Sequence, residues 1–102
     1  MVKDIVFARR PVGECTDAKF RARCVGQYKS GATTHHVTLN PERQLVLKPD
    51  YQPAYRLIPM QDRCFRIAEL NGYSVEFRGD AAIDEVIFHQ PNGTFVAKRV
   101  ED

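Results

Sequence analysis

The stretch Tyr73–Val100, YSVEFRGDAAIDEVIFHQPNGTFVAKRV, decides the fold class. Tyr73, Val75 and Phe77 alternate with Ser74, Glu76 and Arg78, the two-residue period of a strand with one buried face. Gly79-Asp80 interrupts the pattern. The following IDEVIFHQ is rich in β-branched and aromatic side chains, which suit a pleated surface. Pro91-Asn92-Gly93 then turns the chain, and TFVAKRV returns. Asn-Gly between two apolar runs is a strong hairpin signal, because both residues tolerate the positive φ angles of tight turns. The stretch therefore reads as three consecutive antiparallel strands.

The same texture extends back to Gly26. GQYKSG, HHVTLN, QLVLK, AYRLIP and RCFRIAEL follow one another, separated by the turn at Asn40-Pro41-Glu42-Arg43, the loop Pro49–Pro53 and a second Asn-Gly at Asn71-Gly72. Upstream, DAKFRARC at 17–24 reads as a short helix capped by Thr16 or Asp17. Phe20 and Cys24 share one face of it, and Val25-Gly26 ends it. KDIVFA, near residues 4–8, reads as an edge strand or an extended arm. The expectation is one all-β domain over residues 1–102. Residues 1–24 form an arm and one short N-terminal helix. Residues 25–102 form an antiparallel up-and-down meander of about eight strands, closed as a barrel or open as a half-barrel.

Charge narrows the partners. Fifteen basic and 13 acidic residues give a net charge of +2, with no block of either sign. A nucleic-acid surface gathers its excess in a stripe, so none is expected. No apolar run approaches the roughly 20 residues of a membrane-spanning helix, and the charged N-terminus does not read as a signal peptide. Cytoplasm is the expected location for a full-length chain, export for a domain cut from a longer exported chain. Cys15, Cys24 and Cys64 fit reduced structural thiols, although Cys15 and Cys24 can bridge locally in an oxidising compartment.

Reactive spacing is scarce. Neighbouring His35 and His36 point to opposite faces of a strand, and neither HxH, HExxH nor CxxC occurs, so no metal or cofactor is expected and the histidines read as solvated. Ser30 and Ser74 lack a nucleophile-elbow context. Glu76 with Glu85 or His89 is the one pairing that offers acid–base chemistry, but Glu76 falls on the face opposite the apolar residues, which favours a solvated acid. The aromatics are more informative. Tyr28, Tyr55, Phe65, Tyr73, Phe77, Phe88 and Phe95 recur over successive strands. In a small barrel they fill the core. Alternatively, Tyr28, Tyr55, Phe65, Tyr73, Phe77 and Phe88 line a cavity for a small apolar ligand.

From Cys24 to Val100 the chain resembles the C-terminal β domain appended to serine β-lactamase-like and penicillin-binding-protein-like hydrolases. The resemblance is carried by Val25-Gly26-Gln27-Tyr28, VTLNPERQLVLK, Leu57-Ile58-Pro59, the strand at Phe65, VEF at 75–77 and the closing IFHQPNGTFVAKRV. It departs at Ala81-Ala82, where that family commonly has glycine, and in the segment around Cys15. It implies a lipocalin-like barrel without catalytic residues of its own. The expected role is an accessory module, monomer or homodimer, that meets a hydrolase domain or another protein, or that binds a small apolar ligand. The competing expectations are a small enzyme built on Glu76 with Glu85 or His89, and a self-associating structural module.

Overall fold

The computed structural model describes residues 13–80 and 82–100. The expected arm at 4–8 and the tip residue Ala81 lie outside the described residues. Helix α1 (Ala18–Cys24) follows a 3₁₀ turn at Glu14–Thr16. Eight strands come next: β1 (Gly26–Ser30), β2 (Thr33–Leu39), β3 (Leu45–Pro49), β4 (Tyr55–Gln61), β5 (Cys64–Ile67), β6 (Ser74–Arg78), β7 (Glu85–Gln90) and β8 (Gly93–Arg99). Each pairs antiparallel with its neighbour in sequence, and β8 returns to β1 through Tyr28↔Arg99 and Lys29↔Lys98. The meander is a closed barrel. Closure at eight strands leaves an interior that side chains fill or that holds one small ligand.

The alternation in the sequence sets which residues point inward. Across the sheet, Val37 faces Leu47, Phe65 faces Val75, and Phe77 faces Val86, which faces Ala97. All of these are buried. Tyr28, Phe65 and Phe77 meet edge to face, with centroids 6.0 Å apart for Tyr28–Phe77 and 5.7 Å for Phe65–Phe77. That geometry suits the ring quadrupoles.

Because strands alternate in direction, the barrel has two unlike ends. One carries the starts of β1, β3, β5 and β7, and α1 sits across it. Asp17 Oδ1 accepts from the Lys19 N–H at 2.9 Å and caps the helix, whereas Thr16 turns its hydroxyl back to the Gly13 carbonyl. Of the two candidate caps, Asp17 is the one used. Phe20 and Cys24 share the inward face, 1% and 0% exposed. A seven-residue helix has little stability by itself, so its packing on the barrel holds it.

Arginines fasten this plug. Arg63 donates to Glu14 Oε1 at 2.7 Å and to the Gly79 carbonyl at 2.8 Å, and its guanidinium lies 5.3 Å from the centroid of the Phe20 ring. Arg99 serves the C-terminal end of the helix, where carbonyls have no intrahelical donor. It donates to the Arg23 carbonyl at 2.9 Å, to the Val25 carbonyl at 3.1 Å and to the Ile83 carbonyl. It also donates to the Tyr28 hydroxyl at 2.8 Å, and that hydroxyl donates to the Cys24 carbonyl at 2.8 Å. Gly26 sits against the Arg99 guanidinium, where a Cβ would collide with Nη1. The Val25-Gly26-x-Tyr28 motif and the closing Ala-Lys-Arg therefore meet at one place. Together they close the barrel.

Two strand boundaries depart from the alternation. β2 begins at Thr33 rather than His35, and β5 ends at Ile67 although RCFRIAEL runs on to Leu70. Glu69 takes φ 75°, outside the β region, so the chain leaves the sheet and Leu70 folds over the barrel mouth. The turn to β6 thus spans Ala68–Tyr73 rather than Asn71-Gly72 alone. Pro59 is accommodated within β4 because the register shifts between Pro59 and Gln61.

Candidate functional site at the open mouth of the barrel

The opposite end carries the loops 31–32, 50–54, 68–73 and 91–92, and no helix among the described residues covers it. Here the core stops short and leaves a cavity of about 350 Å³. Leu47, Ile67, Leu70 and Phe88 supply its apolar walls, and Tyr55 and Tyr73 stand beside them. Buried Pro49 adds to the wall, the more exposed Gln52 and Gln90 bring carboxamides, and His35 completes the lining. The volume lies within the few-hundred-Å³ range of small-molecule sites.

The six aromatics expected to line a cavity divide into two groups. Tyr55, Tyr73 and Phe88 line it. Tyr28, Phe65 and Phe77, each 0% exposed, belong to the packed core between the cavity and the plug. Tyr28, Phe65 and Phe77 pack on one another in the core, whereas Tyr55 and Tyr73 are only partly buried where the barrel opens.

His35 was expected to be solvated and is not. It pairs with Tyr28 and Pro49 in the ladders, so it points inward, and its ring lies 4.5 Å from the Phe88 ring at 39°. Its Nδ1 is buried with no hydrogen-bond partner. Burial disfavours the charged imidazolium and lowers its pKa, against a weaker opposing pull from Asp50. His36 points outward, as strand alternation requires. Its Nε2 lies 3.2 Å from Asp50 Oδ1, and Asp50 Oδ2 accepts from the Thr34 N–H at 3.1 Å. These contacts hold the Asp50 carboxyl below the usual carboxylate range and pin the root of the loop that places Gln52 over the cavity.

The acid–base pairing takes a different course. Glu76 lies opposite Ile87 and Glu85 opposite Arg78, on the outer face of the wall. Glu76 Oε2 accepts from Arg78 Nε at 3.4 Å, and Oε1 lies 3.5 Å from His89 Nε2. None of Glu76, Glu85 and His89 lines the mouth cavity. The cysteines form no disulfide among the described residues: Cys15 and Cys24 are buried and Cys64 half-buried. Burial raises the pKa of all three, and that of Cys24 is pushed up to about 12. Such thiols are poor nucleophiles. Among the described residues no cluster of three or more His, Cys, Asp or Glu side chains could hold a metal ion, and no helix is long and apolar enough to cross a membrane.

Compared with protein-family models, curated proteins and solved structures, the chain matches none. None of these comparisons links the chain to the hydrolase-appended domain.

Proposed function

We propose that this protein is a binding barrel that takes a small, mainly apolar ligand through its open mouth and performs no chemistry on it. One observation carries the reading. The barrel is packed tight at the plugged end and hollow at the other, and the hollow is walled by Leu47, Ile67, Leu70, Tyr55, Tyr73 and Phe88. An interior meant only for stability would be filled, because voids forfeit dispersion contacts and hydrophobic gain. Role as an accessory module for a hydrolase or another protein rests on motif resemblance and takes second place.

The test is native mass spectrometry of the full chain purified without denaturation, paired with titration by the neutral dye Nile red. A bound molecule of a few hundred daltons, or saturable dye uptake at one per protomer that Leu70→Trp abolishes, supports the reading. A bare protomer together with no saturable uptake overturns it.

A further inference from the structure

A second hollow adjoins the first. It measures about 250 Å³ and shares His35, Gln52, Phe88 and Gln90 with the mouth cavity, then continues between Ser30 and Thr33 on one side and Phe95 on the other. The barrel seam explains its position. β1 registers with β8 only at Tyr28↔Arg99 and Lys29↔Lys98, so Gly93–Val96 extends past the end of β1 at Ser30. The wall parts there, and Phe95 stands 45% exposed at the gap.

The combined lining has a definite chemistry. Among the described residues it contains no Lys, Arg, Asp or Glu. A carboxylate, phosphate or ammonium ion entering it would shed its hydration and find no countercharge. Asp50 and His36, the ionisable groups that act on His35, are engaged with each other outside the cavity. What the lining offers instead is uncharged: ring faces, the carboxamides of Gln52 and Gln90, and an imidazole whose Nδ1 has no partner. A buried nitrogen without a partner is a standing cost, and a ligand that lets the ring turn toward its own polar group removes that cost.

We infer that the mouth cavity and the seam cleft are one bent site for an uncharged, ring-bearing molecule whose hydroxyl or amide hydrogen-bonds to His35. This rests on the binding reading above and adds the ligand's charge class and its anchoring residue.

Three probes of one shape separate the possibilities: 2-naphthol, 2-naphthoate and 2-methylnaphthalene, each titrated into the full chain at pH 7.5. The expected order is 2-naphthol tightest, 2-naphthoate at least tenfold weaker, and 2-methylnaphthalene about fivefold weaker than the naphthol, the loss of one hydrogen bond. In the chain labelled with ¹⁵N-histidine, 2-naphthol should move the side-chain nitrogens of His35 and leave those of His36 and His89 in place. His35→Phe should erase the preference for the naphthol over the methylnaphthalene. Naphthoate binding as tightly as naphthol, or shifts confined to His36 or His89, overturns this inference and leaves the binding barrel intact. Failure of all three probes to bind while Nile red is still taken up overturns this inference alone; failure of Nile red as well, on a bare protomer, overturns both.

Discussion

Arg99 is the residue whose loss should do most damage outside the aromatic core. In Arg99→Met the long apolar stem is kept and the four hydrogen bonds to Ile83, Val25, Arg23 and Tyr28 are lost. They are unequal in weight. The Arg23 and Val25 carbonyls lie at exposed positions, where water can replace the donor, so each contributes on the order of 0.5 kcal/mol. The bonds to the Ile83 carbonyl and the Tyr28 hydroxyl are partly buried and involve a charged donor, worth roughly 1–1.5 kcal/mol each. The guanidinium also lies 4.9 Å from the Tyr28 ring centroid, a cation–π contact of about 0.5 kcal/mol. The total is near 3.5–4.5 kcal/mol, a large share of the roughly 5–15 kcal/mol that holds a typical domain together.

Urea unfolding followed by circular dichroism measures this directly, and the melting temperature should fall by roughly 16–21 °C. Tyr28→Phe alone should cost about 1–2 kcal/mol, because the Cys24 carbonyl loses its donor. The double variant should then cost less than the sum, by about 1 kcal/mol, since Arg99 and Tyr28 act through a shared hydroxyl. Arg99→Lys should recover little, because one ammonium cannot span three carbonyls held by a planar fork. A loss below about 0.5 kcal/mol for Arg99→Met, or strict additivity with Tyr28→Phe, would refute the assignment of Arg99 as the fastener of the plug.

Other perturbations follow from the same division of the barrel. Phe77→Ala should destabilise by about 3–5 kcal/mol in urea unfolding, whereas Phe88→Leu should cost under about 1.5 kcal/mol and weaken Nile red uptake at least fivefold. Equal effects of the two on stability would erase the distinction between core and cavity wall. His35 has a lowered pKa in the fold, so near pH 6 the unfolded chain binds more protons than the folded one. Its contribution is therefore complete above the ordinary histidine value near 6.5 and is lost as pH falls from there through the folded value. His35→Phe should flatten the fall in stability as pH drops below about 6.5, before Asp50 and Glu14, both held low by hydrogen-bonding partners, begin to titrate. Cys15 and Cys24 should resist iodoacetamide at pH 8 in the native chain, half-buried Cys64 should react first, and all three should react once urea unfolds the barrel. Rapid native labelling of Cys24 would show that α1 opens readily.

The strands were legible because their signal is local. Alternation along Tyr73–Arg78 and Glu85–Gln90, and the Asn-Gly turn at 92–93, depend only on neighbouring residues. Barrel closure was less so. The choice between barrel and half-barrel depends on two registered pairs between residues some seventy positions apart, and no local pattern encodes them. The end of β5 was missed for a different reason: Ala68-Glu69-Leu70 has a strand's texture, yet Glu69 adopts φ 75° so that Leu70 can cover the mouth. Tertiary packing there outweighs local preference.

The site was half legible for a physical reason that runs deeper than missing motifs. The recognisable pieces of sequence, Gly26, Tyr28 and Arg99, gather at the plugged end, where a backbone that crosses an opening needs a residue without Cβ, a hydroxyl and a fork of donors in fixed positions. Requirements that strict leave readable spacing. The mouth imposes no such spacing: a cavity wall needs apolar bulk and one well-placed polar atom, and many arrangements meet that need. His35 carries no signal in the sequence beyond its parity with Val37, two residues on in β2 and 1% exposed. That parity places it inside the barrel, and inside the barrel the nearest ring is Phe88. The end of this fold richest in motifs is therefore the end that closes it. The end proposed to take a ligand is marked by an imidazole that faces inward beside Phe88, with its Nδ1 unpaired.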